Sequence, residues 1–161
     1  MITPNISLNN KTVFVTGAAG FIGANLVTEL MNSDNTIHIV GIDSMNDYYD
    51  VSIKDYRLEK INELAAEKGV KWDFVKGNIA DKGLIDKIFA DYKPAVVVNL
   101  AAQAGVRYSI TNPAAYIEAN IVGFYNILEG CRNNPVEHLV YASSSSVYGS
   151  NKKVPYSTED K

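Results

Sequence analysis

Residues 12–23, Thr-Val-Phe-Val-Thr-Gly-Ala-Ala-Gly-Phe-Ile-Gly, confine this chain to very few folds. A short β-branched run breaks into glycines at 17, 20 and 23 and then opens a helical pattern. Gly17 lets the backbone turn sharply off a strand, Gly20 lets it approach a ligand with no Cβ in the way, and Gly23 lets the next helix pack closely. Free N–H groups and the positive end of the helix dipole then favour an anion such as a pyrophosphate, without any basic side chain. Glycine-rich turns also serve purely conformational ends, so the flanking pattern has to decide.

After the glycines, Ala24, Leu26, Val27, Leu30 and Met31 form an apolar helical stripe, and Asn32-Ser33-Asp34-Asn35 stops it. Ile37 to Ile42 then reads as a buried strand ending in Asp43. Asp43 lies about 20 residues past Gly23, the spacing at which a carboxylate meets adenosine ribose hydroxyls. A carboxylate there repels a 2′-phosphate, which points to NAD rather than NADP; the plainer alternative is a residue that turns the chain at a strand end.

The alternation continues along the chain. Ile53, Tyr56, Ile61 and Leu64 mark a helix, Trp72 to Val75 a strand, and Asp81 starts a helix carrying Leu84, Ile85, Ile88 and Phe89. Ala95 to Leu100 is apolar but for Asn99, as expected of a parallel strand buried on both faces. Pro113 opens the longest predicted helix, with Ile117, Ile121, Phe124, Leu128 and Cys131 on one face. His138 to Ala142 is a fifth strand and runs into Ser143-Ser144-Ser145-Ser146. Strands alternating with helices predict right-handed crossovers and an α/β fold, a Rossmann-like doubly wound parallel sheet with helices on both faces. In such sheets ligands bind at the carboxyl ends of the strands, where the glycine loop, Asp43, Asn78, Leu100 to Gln103 and the serines all fall.

Composition narrows the function. With 161 residues, 47% of them hydrophobic, the chain can bury one domain's core. A formal charge of −3 provides no basic stripe for nucleic acid. A single cysteine, Cys131, excludes an internal disulfide framework and fits a reducing cytoplasm. No run reaches the roughly 18 apolar residues of a membrane span, and Met1 to Asn10 lacks the apolar core of a leader peptide. His38 and His138 share no metal-ligand spacing, so no metal is expected.

Five segments in order carry a resemblance: Thr16-Gly17-Ala18-Ala19-Gly20-Phe21-Ile22-Gly23, Gly41-Ile42-Asp43, Asn99 to Arg107, Asn120-Ile121-Val122-Gly123, and Tyr141 to Gly149. Together they resemble the extended short-chain dehydrogenase/reductase family of NAD-dependent epimerases and dehydratases. Within it, Met45 to Asp50, the Ala-Gln-Ala-Gly-Val-Arg segment and the four serines are most similar to UDP-glucuronate 4-epimerases. The resemblance implies that Gly17, Gly20, Phe21, Ile22 and Gly23 hold the NAD pyrophosphate, and that Asp43 and Asn46 hold the adenosine ribose. It implies that Asn78, where family members usually carry Asp, and Ile79 flank the adenine. Leu100, Ala101, Ala102 and Gln103 would line the cofactor, and Asn120 would approach from the long helix. Asn99 stands where His is common, and no functional change is attached to it.

The family's reaction takes a proton from the sugar 4-hydroxyl onto a tyrosine while hydride leaves C4, then returns hydride to the other face of the keto sugar. A lysine lowers the tyrosine pKa and a Ser or Thr hydroxyl orients the sugar oxygen. By position that hydroxyl is Ser144; a polar loop that caps itself is the structural alternative. Ser145 and Ser146 stand where the dehydratases carry Asp-Glu, so epimerisation without elimination is expected. The Tyr-x-x-x-Lys pair should share a helix face. Tyr148 and Lys152 match the string, but Gly149, Ser150, Asn151 and Pro155 make that stretch a loop. Residues 1–161 therefore read as an incomplete, C-terminally truncated NAD-binding domain, lacking the catalytic Tyr/Lys helix and the substrate domain. The intact enzyme is expected to be a cytoplasmic homodimer acting on a UDP-sugar. The competing reading is a catalytically silent NAD-binding or interaction module. Arg107 reads as the only arginine near the crevice, meeting either a substrate anion or water. Tyr48 and Tyr49 read as cover for the sheet edge rather than as lining of the adenine pocket.

Overall fold

β-Branched residues at 12–16 pleat into β1 (Thr12–Thr16), whose alternation sends Val13 and Val15 to one face and Phe14 to the other. Each side is covered by helices. A computed structural model describes residues 6–160; the first half of the Met1 to Asn10 segment and Lys161 lie outside the described residues. Val13 and Val15 pack with Ala24, Val27 and Met31 of α1 (Phe21–Ser33) and with Ile61 and Ala65 of α2 (Val51–Lys68). On the opposite face Phe14 meets Ile85, Ile88 and Phe89 of α3 (Lys82–Tyr92), the Phe14 and Phe89 rings packing edge to face at 5.8 Å. Buried aliphatic and aromatic side chains of this kind contribute about 1.5–3 kcal/mol each.

β2 (His38–Asp43), β3 (Lys71–Lys76), β4 (Val96–Asn99) and β5 (His138–Tyr141) complete a sheet of order β3-β2-β1-β4-β5. Every pairing is parallel: Thr16 aligns with Ile42 on one side and Asn99 on the other. The chain winds outward from β1 to β3, then crosses back to β4. That reversal beside β1 opens a crevice at the carboxyl ends of the strands, as the doubly wound reading predicts. Helix starts follow local chemistry. The Asp81 carboxylate accepts the Leu84 amide at 3.0 Å and caps α3, and Asp50 accepts the Ser52 amide at 2.9 Å and caps α2.

The second half departs from the sequence expectations in two places. The chain after β4 forms a short helix, α4 (Val106–Thr111), that the apolar periodicity did not reveal. The long predicted helix is real from Pro113 to Asn133, but it runs as α5 (Pro113–Tyr116), a π-helical segment (Ile117–Gly123) and α6 (Phe124–Asn133). Its buried face is Gly123, Asn126, Ile127 and Gly130, whereas Ile117, Ile121 and Leu128 of the expected face are exposed. The wide π turn shifts the register, and the two glycines admit close neighbours. A Cβ on Gly123 would sit 2.5 Å from Ile79 Cγ1, and one on Gly130 would sit 2.3 Å from the Phe89 ring. The last strand, β5, is an exposed edge strand, with Val140 and Tyr141 open to solvent. Among the described residues no helix is long and apolar enough to cross a membrane.

Candidate functional site

The crevice floor begins at the end of β1. Gly17 adopts φ +70°, which turns the chain off the strand in a conformation that side chains rarely adopt. Gly23 lies so close beneath the loop that a Cβ there would come within 2.1 Å of the Gly17 carbonyl oxygen. Gly20 is the N-cap of α1 and offers no side chain to the first-turn amides. Phe21 and Ile22 are exposed at that helix start. The donors of the first turn therefore face outward with a favourable dipole, which suits a diphosphate.

Asp43 joins this loop to the next strand. Its Oδ2 accepts the Ala19 amide at 3.2 Å, and its Oδ1 accepts the Met45 amide at 2.9 Å and lies 3.4 Å from Lys54 Nζ. A carboxylate offers about four acceptor sites, so one lone pair, on Oδ2, remains for a ribose hydroxyl. Lys54 also donates to the Asn46 carbonyl at 3.2 Å and to Asn46 Oδ1 at 3.0 Å. Arg57 donates from Nη1 to the Ala19 carbonyl at 3.2 Å and to the Tyr49 hydroxyl at 3.0 Å. Sequence reasoning missed both cations, because a helix that buries Lys54 while exposing Ile53 and Tyr56 inverts the apolar pattern. Two expectations are corrected here. Arg107 is not the only arginine near the crevice, and Tyr48 and Tyr49 line it rather than cover the sheet edge. Arg107 stands exposed on α4.

The wall opposite comes from β4. The Thr16 hydroxyl donates to Asn99 Oδ1 at 2.8 Å and accepts the amides of Leu100 and Ala101 at 3.1 and 3.0 Å. Asn99 thus ties the ends of two adjacent strands together. Leu100, Ala101, Ala102 and Gln103 line the crevice with Asn46, Asn78 and Ile79. Asn120 reaches this loop from the π segment, but both ends of its amide are taken by the Gln103 backbone, at 2.8 and 2.9 Å. Asn78 is similarly engaged: Oδ1 accepts the Ala80 amide at 2.9 Å and Nδ2 donates to Glu118 Oε1 at 2.7 Å. These two side chains line the cavities while bracing the backbone around them.

A crevice of about 240 Å³ lies over β1 and β2, and a second cavity of about 580 Å³ lies over β4 and β5. Ala101 to Ala104 border both, so one elongated ligand can span the reversal in strand order. Ser143 and Ser144 line the second cavity with Asn99, Tyr116 and Asn120. Ser144 caps a 3-10 turn (Ser145–Tyr148), its Oγ accepting the Ser146 amide at 3.2 Å, so its capping and cavity-facing positions coexist. Tyr148 ends that turn and stacks on Tyr156 at 4.5 Å, while Gly149 at φ +57° breaks the path to Lys152. These two residues do not share a helix face. His38 lies 2.6 Å from Asp73 at the far end of the sheet. Among the described residues no group of three or more His, Cys, Asp or Glu is placed to hold a metal.

Comparison with known proteins agrees with this geometry. Protein CapI of Staphylococcus aureus is 49% identical over 92% of this chain, and UDP-glucuronate 4-epimerase 4 of Arabidopsis thaliana is 46% identical over 95%. The crystal structure of UDP-glucuronic acid 4-epimerase from Bacillus cereus, in complex with UDP-glucuronic acid and NAD, superposes with a TM-score of 0.75 at 31% identity over 88% of this chain. The chain spans 42%, 33% and 43% of those three proteins. The NAD dependent epimerase/dehydratase family signature matches residues 13–161, nearly the whole sequence, and the chain belongs to that family.

Proposed function

We propose that this chain is the NAD-binding part of a UDP-sugar 4-epimerase whose substrate is UDP-glucuronate. The observation that carries the reading is the pair of adjoining cavities, both bordered by Ala101 to Ala104, that extend from the glycine loop and Asp43 to Ser144 across the reversal in strand order. Identity of 46% to a UDP-glucuronate 4-epimerase supports the substrate class.

The residues present fit the cofactor. The α1 amides at Phe21, Ile22 and Gly23 would hold the pyrophosphate, the missing Cβ of Gly23 keeps the loop low, and the remaining lone pair of Asp43 would accept a ribose hydroxyl. Leu100 to Gln103 form the wall beside the nicotinamide half. When bound, NAD supplies a reversible hydride acceptor. Ser144 holds the sugar 4-hydroxyl, while Ser145 and Ser146 supply no carboxylate for elimination, which favours epimerisation. The proton is moved by a tyrosine assisted by a lysine, contributed by sequence beyond these 161 residues in the intact enzyme. A homodimer in the cytoplasm completes the proposal.

Calorimetry and a coupled assay test it. The 161-residue chain should bind NAD, prefer it to NADP, and turn over no UDP-glucuronate. A reading frame that continues should encode Tyr-x-x-x-Lys and epimerise the sugar. Absence of NAD binding, or formation of UDP-galacturonate by the chain alone, would sink the reading.

A further inference from the structure

Lys54 is the least expected side chain in the molecule. It is 4% exposed and sits in the first turn of α2, the end of a helix that disfavours cations. Burying an ammonium is unfavourable unless it is fully partnered, and a buried ion pair is a weak source of stability. Its partners all lie on one short segment: Asp43 Oδ1 at 3.4 Å, the Asn46 carbonyl at 3.2 Å and Asn46 Oδ1 at 3.0 Å. The Tyr49 ring covers the ammonium at 5.0 Å. Between those partners Met45 holds φ +53°, a left-handed conformation that a methionine adopts only when its surroundings impose it. The Met45 amide donates back to Asp43 Oδ1 at 2.9 Å.

We propose that Lys54 is a positioning residue that preforms the adenosine-ribose site by locking Asp43 and Asn46 around the strained turn at Met45. This rests on the NAD reading above and goes beyond it. The second carboxylate oxygen of Asp43 is held by the Ala19 amide at 3.2 Å, so the lock also sets the ribose acceptor relative to the glycine loop. A ligand arriving at such a site meets acceptors already oriented, which reduces the ordering that binding requires.

The effect is specific to the ribose hydroxyls, and ADP and 2′-deoxy-ADP separate it from a general loss of structure. Calorimetry on the full chain should find ADP bound about tenfold more tightly than 2′-deoxy-ADP, as expected for a hydroxyl donating to a carboxylate. In Lys54→Met this ratio should fall towards one, with the 2′-deoxy-ADP affinity changed less than about twofold. An equal loss for both ligands, or no preference in the native chain, overturns the proposal. Hydrogen exchange on the unmodified, ligand-free chain provides a measurement independent of whether Lys54→Met folds. The Met45 and Ala19 amides should be protected before any nucleotide is added; unprotected exchange there overturns the proposal. A chain that binds neither NAD nor ADP, yet protects both amides, overturns the cofactor reading instead and leaves the locked turn standing.

Discussion

Single atoms decide much of this site. The Thr16 hydroxyl holds three partners from β4 and the loop after it, so Thr16→Val keeps the shape and leaves the Leu100 and Ala101 amides short of an acceptor. One unsatisfied buried group costs about 1–3 kcal/mol. Urea denaturation of this variant should show a loss of about 2 kcal/mol, with weaker NAD binding. Gly23→Ala acts by volume: its Cβ would displace the Gly17 carbonyl from a 2.1 Å approach. Calorimetry should register at least a tenfold loss of NAD affinity, or about 1.4 kcal/mol. An alanine variant that bound NAD normally would show that the loop can rise without penalty.

At the scale of elements, the left-handed residue ending α3 offers a clean test of backbone preference. Lys93 is exposed and adopts φ +47° at the helix C-cap. Lys93→Gly should raise stability by about 0.5–1 kcal/mol, read as an increased urea midpoint at constant slope. The five strands were legible as short β-branched or apolar runs, and α1 and α3 from helical spacing, α1 burying Ala24, Val27 and Met31. Asp43 was legible from its distance to the glycines. The face of α6 was not, since a π segment breaks the period just before it and the buried contacts are made by Gly123 and Gly130, which carry no hydrophobic signal. Lys54 and Arg57 were invisible for a related reason. Their role is to reach across to another element, and a charged residue on a helix ordinarily signals solvent.

Across the whole molecule, protonation links the core to solution conditions. Cys131 lies against the α3 side of the sheet, and burial pushes its thiol upward from the usual value. The folded state thus holds the thiol proton more tightly than the unfolded chain. That part of the stability is intact below the unfolded thiol pKa of about 8.5 and is lost as pH rises through the elevated folded value. Urea midpoints followed from about pH 7.5 upward should fall more steeply for the native chain than for Cys131→Ala. Parallel slopes would place the thiol in contact with solvent.

The strand order also sets a timetable for the chain as it leaves the ribosome. β1 can pair with β2 as soon as the first crossover is made, which brings the glycine loop beside Asp43, but the wall opposite waits for Leu100 to Ala104. The bonds that close the floor under the glycine loop join Thr16 to residues 84 and 85 positions further on. Until Leu100 and Ala101 emerge, the nascent chain holds a half-built groove whose phosphate loop has one wall. Contacts so distant in sequence form late because loop closure has to precede them. The groove gains its second wall only when β4 lies beside β1.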